Sequence, residues 1–304
     1  MRKFNMAFPA ARALWPYTFA LFLLLALGAC SSLRLAYNHG DTLLYWWLDG
    51  YVDLDREQKT QVRKDIDQLF QWHRTSQLQD YAQLLQTGQQ RHLNNPTDTA
   101  SLRASWGEVR QRMQVLLLHA VPELADLLRS LRPEQIRSME KKFAANNAEF
   151  RDKYMRGDIA TQQKARFQQA LDQFELWFGD FSRTQEAQIR QLSDARPLLT
   201  SQLLEERMRR QSEIVALARK IQQEQPGRVA TMELLRQLIN DTFRQMESGP
   251  RAPALVEYEE STVQMVLGVI QLSTTSQKAH AQHRIQDCIH DLKVLAQEGH
   301  SSRP

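Results

Sequence analysis

Cysteine, glycine and proline are scarce in this sequence. Its 304 residues include two cysteines, 11 glycines and 10 prolines. Two cysteines allow one disulfide at most, so the stability of the fold must come chiefly from packing. Few glycines and prolines, together with the absence of period-two alternation, argue against a fold rich in strands and turns.

Long hydrophobic runs and an excess of one charge are also missing after the first thirty residues. The apolar run VQMVLGVIQL at 263–272 is too short to cross a membrane and predicts a buried stretch of helix. Arg2, Lys3 and Arg12 supply most of the formal net charge of +4, since removing them from 39 Lys and Arg leaves 36 against 35 Asp and Glu. The remaining chain gives no support to nucleic-acid binding.

Residues 1–29 have the layout of a secretory signal peptide. The basic segment MRKFNMAFPAARA precedes an apolar stretch that is short for a bilayer crossing and is interrupted by Pro16. The stretch ends in LGAC, which resembles the bacterial lipobox. This resemblance implies cleavage between Ala29 and Cys30 and acylation of the Cys30 thiol, so membrane lipid is an expected partner. An uncleaved transmembrane anchor is the alternative.

The residue after the cysteine bears on location. Ser31 stands where aspartate would retain a lipoprotein at the inner membrane, which by analogy with enterobacterial sorting predicts the outer membrane, facing the periplasm. Inner-membrane anchoring is the alternative. Several acyl chains anchor a protein stably where a single chain does not. Acylation of Cys30 would leave Cys288 as the single thiol, which excludes an internal disulfide.

Leu, Gln, Arg, Glu and Ala dominate the rest of the chain, and these residues favour helices over strands. Apolar residues such as Val62, Ile66 and Leu69 recur at three- and four-residue steps, which predicts one long amphipathic helix over 55–87. A second helical stretch follows NNPTD at 94–98 and is predicted to continue to about Leu131 with a kink at Pro122. Further helical segments are predicted at 133–155, 158–180, 183–224 with a disturbance at Pro197, 228–247 and 254–297. We therefore predict an all-α fold after a cleaved signal peptide, either an elongated multi-helix bundle or an array of long antiparallel helices.

These segments suggest a simple domain plan. The signal peptide at 1–29 is followed by an aromatic segment close to the anchor at 30–53. One helical domain is predicted over 54–297, with a candidate boundary near 225–228, where QPGR interrupts the helical pattern. A polar tail is predicted at 298–304.

A short pattern with an apolar first residue and glutamine four positions later occurs three times, as LDREQ, LRPEQ and FSRTQ. Its ends are Leu54 and Gln58, Leu131 and Gln135, and Phe181 and Gln185. Each copy predicts a helix start: Asp55 and Ser182 suit the N-cap with glutamine at the third helical position, and Pro133 suits the first. Capping alone explains the pattern.

The same pattern resembles the leucine–threonine–x–x–glutamine motif of small periplasmic helical chaperones of the envelope-stress response. In those proteins paired motifs help to build a curved helical cradle for unfolded clients. Asp55, Arg132 and Ser182 stand here where that family prefers threonine. The resemblance implies a chaperone-like role as an alternative function.

A second resemblance is carried by RLAYNHGDTLLYWWLDGYVDLDREQKTQV at 34–62. This stretch is similar to the N-terminal signature of an uncharacterised family of proteobacterial lipoproteins, a domain of unknown function. The matching residues are Tyr37, Asn38, Trp46, Trp47, Asp49, Tyr51 and Leu54 to Gln58. The resemblance implies a helical, lipobox-anchored protein and supplies no reaction.

The aromatic side chains of this stretch have two interpretations. Tyr45, Trp46, Trp47 and Tyr51 can pack in a helical core, where buried aromatic rings contribute strongly to stability. They also lie within about fifteen residues of Cys30, and amphipathic rings favour a membrane interface. We expect core packing, with an interface role for one tryptophan.

Motifs for catalysis, phosphate binding and paired-cysteine metal binding are absent from the sequence, and we expect no cofactor. The remaining cluster is His280, His283, Asp287 and His290, which at helical spacing fall within an arc of about 80°. Two histidines and a carboxylate could hold Zn²⁺ or Cu²⁺, but we expect a solvated helix face near a polar tail, since the sequence indicates no further ligand from another helix.

The sequence thus predicts a membrane-anchored periplasmic lipoprotein that binds or scaffolds unidentified envelope proteins, without catalytic chemistry. A chaperone-like holder of unfolded envelope proteins and an enzyme with an unrecognised site are the alternatives. A deep pocket with clustered polar groups would favour the enzyme.

Overall fold

The computed structural model describes residues 30–249 and 252–301. The predicted signal peptide, including Ala29, lies outside the described residues. The described part is 88% helical, with thirteen helices and no strands, which confirms the all-α multi-helix prediction. The helices are α1 Cys30–Asn38, α2 Gly40–Val52, α3 Arg56–Ser76, α4 Leu78–His92, α5 Thr99–His119, α6 Val121–Ser130, α7 Pro133–Tyr154, α8 Ile159–Phe178, α9 Arg183–Asp194, α10 Thr200–Glu224, α11 Arg228–Ser248, α12 Ala252–Leu272 and α13 Thr275–Ser301.

Helices that are distant in sequence pack side by side. The C-terminal helix α13 runs along α4 and also contacts α1, α3 and α8, while α10 packs on α7 and α11 on α6. Buried apolar side chains form one cluster between α2, α3, α7 and α10 and another between α1, α4 and α13. A third cluster joins α8, α9, α12 and α13. The helices thus share cores through apolar faces that the sequence pattern indicates.

Two of the predicted long helices are interrupted. The helix predicted over 55–87 continues to His92 but divides at Gln77 into α3 and α4. The prediction of one continuous helix over 254–297 is wrong, because Ser273 and Thr274 separate α12 from α13. The Thr274 hydroxyl accepts a hydrogen bond from the Gln277 backbone N–H at 3.2 Å, and Gln277 Oε1 accepts one from the Thr274 N–H at 2.9 Å. This reciprocal cap starts a new helix.

The ends of the predicted helical domain also differ. The helix α13 extends to Ser301, so the predicted polar tail at 298–304 is helical over its first residues. Glu298 pairs with Arg34 of α1 at 2.8 Å. The candidate boundary near 225–228 is the loop between α10 and α11, where Arg129 Nε donates to the Pro226 carbonyl at 3.2 Å. Within the described residues, no helix is both long enough and apolar enough to cross a membrane.

Candidate functional site

The glutamines of the first two motifs face each other in the core. Gln58 and Gln135 are 8% and 2% exposed. Gln135 Nε2 donates to Gln58 Oε1 at 2.6 Å, and Gln58 Nε2 donates to Gln135 Oε1 at 3.2 Å. Each amide also donates to the backbone carbonyl that precedes the other motif, Gln58 to Ser130 and Gln135 to Asp53, both at 3.0 Å. We call this arrangement the first glutamine clasp.

The same two side chains cap their own helices. Gln58 Oε1 accepts from the Asp55 N–H and Gln135 Oε1 from the Arg132 N–H, both at 3.0 Å. Each amide oxygen therefore accepts two hydrogen bonds and each amide nitrogen donates at least two, which satisfies a buried amide fully. A single residue type both starts a helix and joins two chain segments.

Arg132, which is a poor N-cap, has a different partner. Its guanidinium pairs with the Asp55 carboxylate, the N-cap of the other motif. The Gln58 backbone N–H and then the Arg132 guanidinium hold the pKa of the Asp55 carboxyl below its usual range. The two motifs thus complement each other at the positions where both depart from threonine.

A second clasp joins the third motif to a fourth copy that the sequence analysis missed. Gln185 Nε2 donates to Gln277 Oε1 at 2.8 Å, and Gln277 Nε2 donates back to Gln185 Oε1 at 3.3 Å. Gln185 also donates to the Leu272 carbonyl at 3.0 Å and Gln277 to the Asp180 carbonyl at 2.8 Å. These carbonyls again precede the partner motif, so the bonding pattern of the first clasp is repeated.

The fourth copy is STTSQ at 273–277. Its first residue is Ser273 instead of a large apolar residue, which hides it from a search for the pattern. Ser273 is nevertheless buried, and its hydroxyl donates to the Val269 carbonyl at 2.6 Å. Two signals could have revealed the copy: Thr274 stands three residues before Gln277, and eight residues after its start each copy has a buried side chain, namely Val62, Met139, Ile189 and Ala281.

Each clasp organises four helices in the same way. In the first, α2 leads into one motif and α3 out of it, while α6 and α7 flank the other. The helix before each motif packs on the helix after the other, α2 on α7 and α6 on α3. In the second clasp α8 packs on α13 and α12 on α9. The protein therefore contains two four-helix units that are built alike.

The aromatic segment divides between core and surface. Tyr45 and Tyr51 are 3% and 8% exposed, and Trp47 packs against the same cluster with its ring 4.7 Å from that of Tyr51. Tyr51 accepts a hydrogen bond from Asn146 Nδ2 at 2.5 Å. Trp46 is 61% exposed. Trp47 is thus half-buried against the core, and its neighbour Trp46 lies on the surface.

The first helix is fixed to the bundle through a buried histidine. Tyr37 Oη lies 2.8 Å from His73 Nδ1, and both residues are 6% exposed. Burial lowers the pKa of His73 to about 4 and raises the pKa of Tyr37. Nearby, Arg74 donates to Asn38 Oδ1 at 2.9 Å. Burial keeps His73 neutral, and the contacts of Tyr37 and Asn38 hold α1 in place.

The C-terminal histidines do not form a site together. His283 Nδ1 donates to Asp287 Oδ2 at 2.8 Å, whereas His280 Nδ1 donates to the Trp177 carbonyl on α8 at 2.9 Å. His290 is exposed. In the part of the chain that the structure describes, no group of three such side chains is arranged to hold a metal ion.

A shallow groove of about 600 Å³ lies between α9 and α12. Gly268 allows this close approach, because a Cβ there would lie 2.6 Å from Leu192. The groove is lined by Gln188, Gln191 and Gln271 together with Leu192, Ala195, Gly268 and Leu272. Amides beside apolar side chains suit hydrogen bonding to peptide groups.

Cys30 is the first residue of α1. Its lipidation and the cleavage after Ala29 stay predictions. The helix that follows it packs on α13 and leads into α2 within a single residue.

Comparison with known proteins identifies a family. A family model described as "Family of unknown function (DUF6279)" matches residues 50–248, more than half of the chain. This segment includes Gln58, Gln135 and Gln185, but not Gln277. Searches of curated proteins and of solved structures find no match. The match confirms the predicted domain of unknown function, and the chain belongs to the DUF6279 family.

Proposed function

We propose that this protein is a lipid-anchored component of the cell envelope that binds or scaffolds envelope proteins from the periplasmic face of the outer membrane. The observation that supports the anchor is the position of Cys30. It ends the LGAC sequence and begins α1, and α1 packs on the body through Leu33 and Tyr37, which are 6% exposed. Lipid at this position would hold the helices close to the bilayer without a flexible linker.

The groove between α9 and α12 supports the binding role. Its three glutamine amides can donate to and accept from an extended peptide, while Leu192 and Leu272 can contact apolar side chains. The surface around it carries both signs of charge, as in the Arg190–Asp194 pair. A polar protein segment is therefore the proposed ligand of this groove.

Two measurements test the proposal in the native host. The intact mass of the mature protein should correspond to a chain that starts at acylated Cys30, and Cys30→Ala should leave the protein uncleaved and unacylated. A photo-crosslinking residue at position 191 should capture envelope proteins that the same residue at Lys164, exposed on α8, does not capture. A mature chain that starts elsewhere contradicts the anchor, and identical captures from the two positions contradict the groove.

One observation favours the chaperone-like alternative. The motifs that resemble those of the periplasmic chaperones meet in pairs, as that resemblance implies. The glutamines themselves are buried or half-buried, so they build the helical frame instead of contacting a client. Other exposed apolar residues, such as Val115, Met208 and Val229, are spread over different helices.

This alternative predicts suppression of aggregation. The purified mature protein should keep several unrelated unfolded envelope proteins in solution at near-stoichiometric amounts. Light scattering during dilution from denaturant measures this directly. Equal scattering with and without the protein, for every client, would contradict the chaperone role.

A further inference from the structure

The first two helices carry an apolar surface on the side away from the bundle. Leu35 is 61% exposed, Leu43 is 55% exposed and Trp46 is 61% exposed, although all three are large apolar residues. Each lies in α1 or α2, the helices that directly follow Cys30. Large apolar side chains grouped at one place on a surface usually mark a contact with a protein or a membrane.

These side chains form one stripe because helical hydrogen bonding continues through the junction of α1 and α2. The His39 N–H donates to the Leu35 carbonyl at 3.2 Å, and the Leu43 N–H donates to the His39 carbonyl at 3.0 Å. His39 itself has non-helical dihedrals (φ −112°, ψ 5°), but the bonds on either side of it keep the helical turn. At about 100° per residue, Leu35, His39, Leu43 and Trp46 therefore fall within an arc of about 80°. We call Leu35, Leu43 and Trp46 the outer stripe.

The buried residues of the same helices point the other way. Leu33, Tyr37 and Tyr45, which pack into the bundle, lie on the opposite side of the helix at this spacing. No Asp, Glu, Lys or Arg lies within the arc of the outer stripe between positions 35 and 50. Its exposed residues are Leu35, His39, Leu43, Trp46 and Gly50, and the uncharged, exposed Thr42 and Ala36 lie just outside its two edges. In a chain of which 24% is charged, this uncharged arc is suited to an apolar medium.

We propose that the outer stripe docks on the phospholipid bilayer, so that α1 and α2 lie parallel to the membrane with the bundle above them. The inference rests on the proposed lipid anchor at Cys30. The stripe begins about 8 Å along the helix from Cys30 and reaches Trp46 after about 24 Å. Tryptophan is enriched at the level of lipid headgroups.

A cation lies at the edge of the stripe. The guanidinium carbon of Arg63 lies 3.6 Å from the centre of the Tyr45 ring, and the Tyr45 and Trp46 rings meet edge to face at 5.5 Å. Arg63 is exposed on α3. Guanidinium groups bind phosphate through two parallel hydrogen bonds. Arg63 is thus placed to contact lipid phosphate while Trp46 contacts the apolar boundary.

Tryptophan quenching in vesicles tests this docking. The lipidated protein is placed in vesicles of phosphatidylethanolamine and phosphatidylglycerol with or without brominated acyl chains. The fluorescence of Trp46 is obtained by subtracting the emission of Trp46→Phe from that of the wild type. Brominated lipid should quench most of this fluorescence, and aqueous iodide should quench little of it. Trp47 provides the matched control. Its fluorescence, obtained by subtracting the emission of Trp47→Phe from that of the wild type, should be equal in vesicles with and without brominated lipid.

A second pair of variants addresses the stripe itself. Leu35→Ser with Leu43→Ser keeps Trp46 and should reduce its quenching by brominated lipid. Val229→Ser with Val256→Ser changes two residues that are 79% and 54% exposed on α11 and α12 and should leave the quenching unchanged. Equal quenching in both double variants would contradict a role for the stripe.

The outcomes separate this inference from the proposed anchor. An acylated chain whose Trp46 is quenched by iodide and not by brominated lipid overturns the docking and leaves the anchor intact. A mature chain without acyl groups, seen by mass spectrometry, overturns the anchor and with it the docking.

Discussion

The side-chain amides of Gln58 and Gln135 donate hydrogen bonds to each other across 77 residues of sequence, with the shorter bond at 2.6 Å. Each amide also caps its own helix and donates to the chain just before the other. Because both side chains are buried, removing one leaves polar groups of the other segment without partners. The stability of the first unit should therefore depend on both glutamines together.

Gln58→Ala and Gln135→Ala should each lower the free energy of unfolding by about 2–4 kcal/mol, because a buried amide and a helix cap are lost at once. The double variant should lose less than the two changes added together, since they remove one shared network. Urea denaturation measures all three values. Gln61→Ala, on an exposed face of the same helix, should cost less than about 0.5 kcal/mol. Strict additivity would contradict the clasp.

Substitutions in the second clasp should also lower the free energy of unfolding, but by less than those in the first. Gln185 and Gln277 are half-buried, so water can satisfy part of what a substitution removes. We expect Gln277→Ala and Gln185→Ala each to cost about 1–2 kcal/mol in unfolding free energy, with a similar shortfall in the double variant. Gln168→Ala on α8 is the exposed control. Equal unfolding free energies for Gln277→Ala and the control would contradict a stabilising role for the fourth motif.

Stability should fall in mild acid because of His73. Burial lowers its pKa to about 4, below the ordinary 6.5, so the unfolded chain binds this proton first as the pH falls. The contribution is complete above pH 6.5 and is lost between 6.5 and 4, by up to about 3 kcal/mol. Denaturation at several pH values should show that the unfolding free energy of the wild type falls with pH across this range. The slope should be weaker in His73→Gln. His283→Gln, at an exposed position, should keep the full slope, and equal slopes in both variants would rule out this origin.

Substitution of the two neighbouring tryptophans should affect stability to very different extents. Trp47→Ala should lower the free energy of unfolding by about 2–4 kcal/mol, since its ring packs against Tyr51 and the buried cluster around it. Trp46→Ala should change it by less than about 0.5 kcal/mol, because most of that ring is exposed. Calorimetry of the two variants measures the contrast. A larger loss for Trp46 would contradict the assignment of core and surface.

Most of the helical content could be predicted from sequence, but two breaks could not. Apolar spacing on α3, α7 and α8 follows the core, so their positions are close to those predicted. The break at Ser273 lies inside a strongly helical pattern and depends on a cap whose glutamine is held by Gln185, a residue of another helix. Apolar periodicity depends only on which residues share a helix face. It therefore cannot indicate a distant partner such as Gln185, whose hydrogen bond makes the break favourable.

The sequence by itself determined the helices, the family, the near balance of charge and the lipobox-like ending at Cys30, because propensity, periodicity and local motifs are properties of neighbouring residues. Only the tertiary structure decided which motif pairs with which, that Ser273 to Gln277 form a fourth copy, and that Trp47 packs against the buried cluster while Trp46 is exposed. The physical reason is that satisfaction of a buried amide and exposure of a ring both depend on partners that the chain brings from far away.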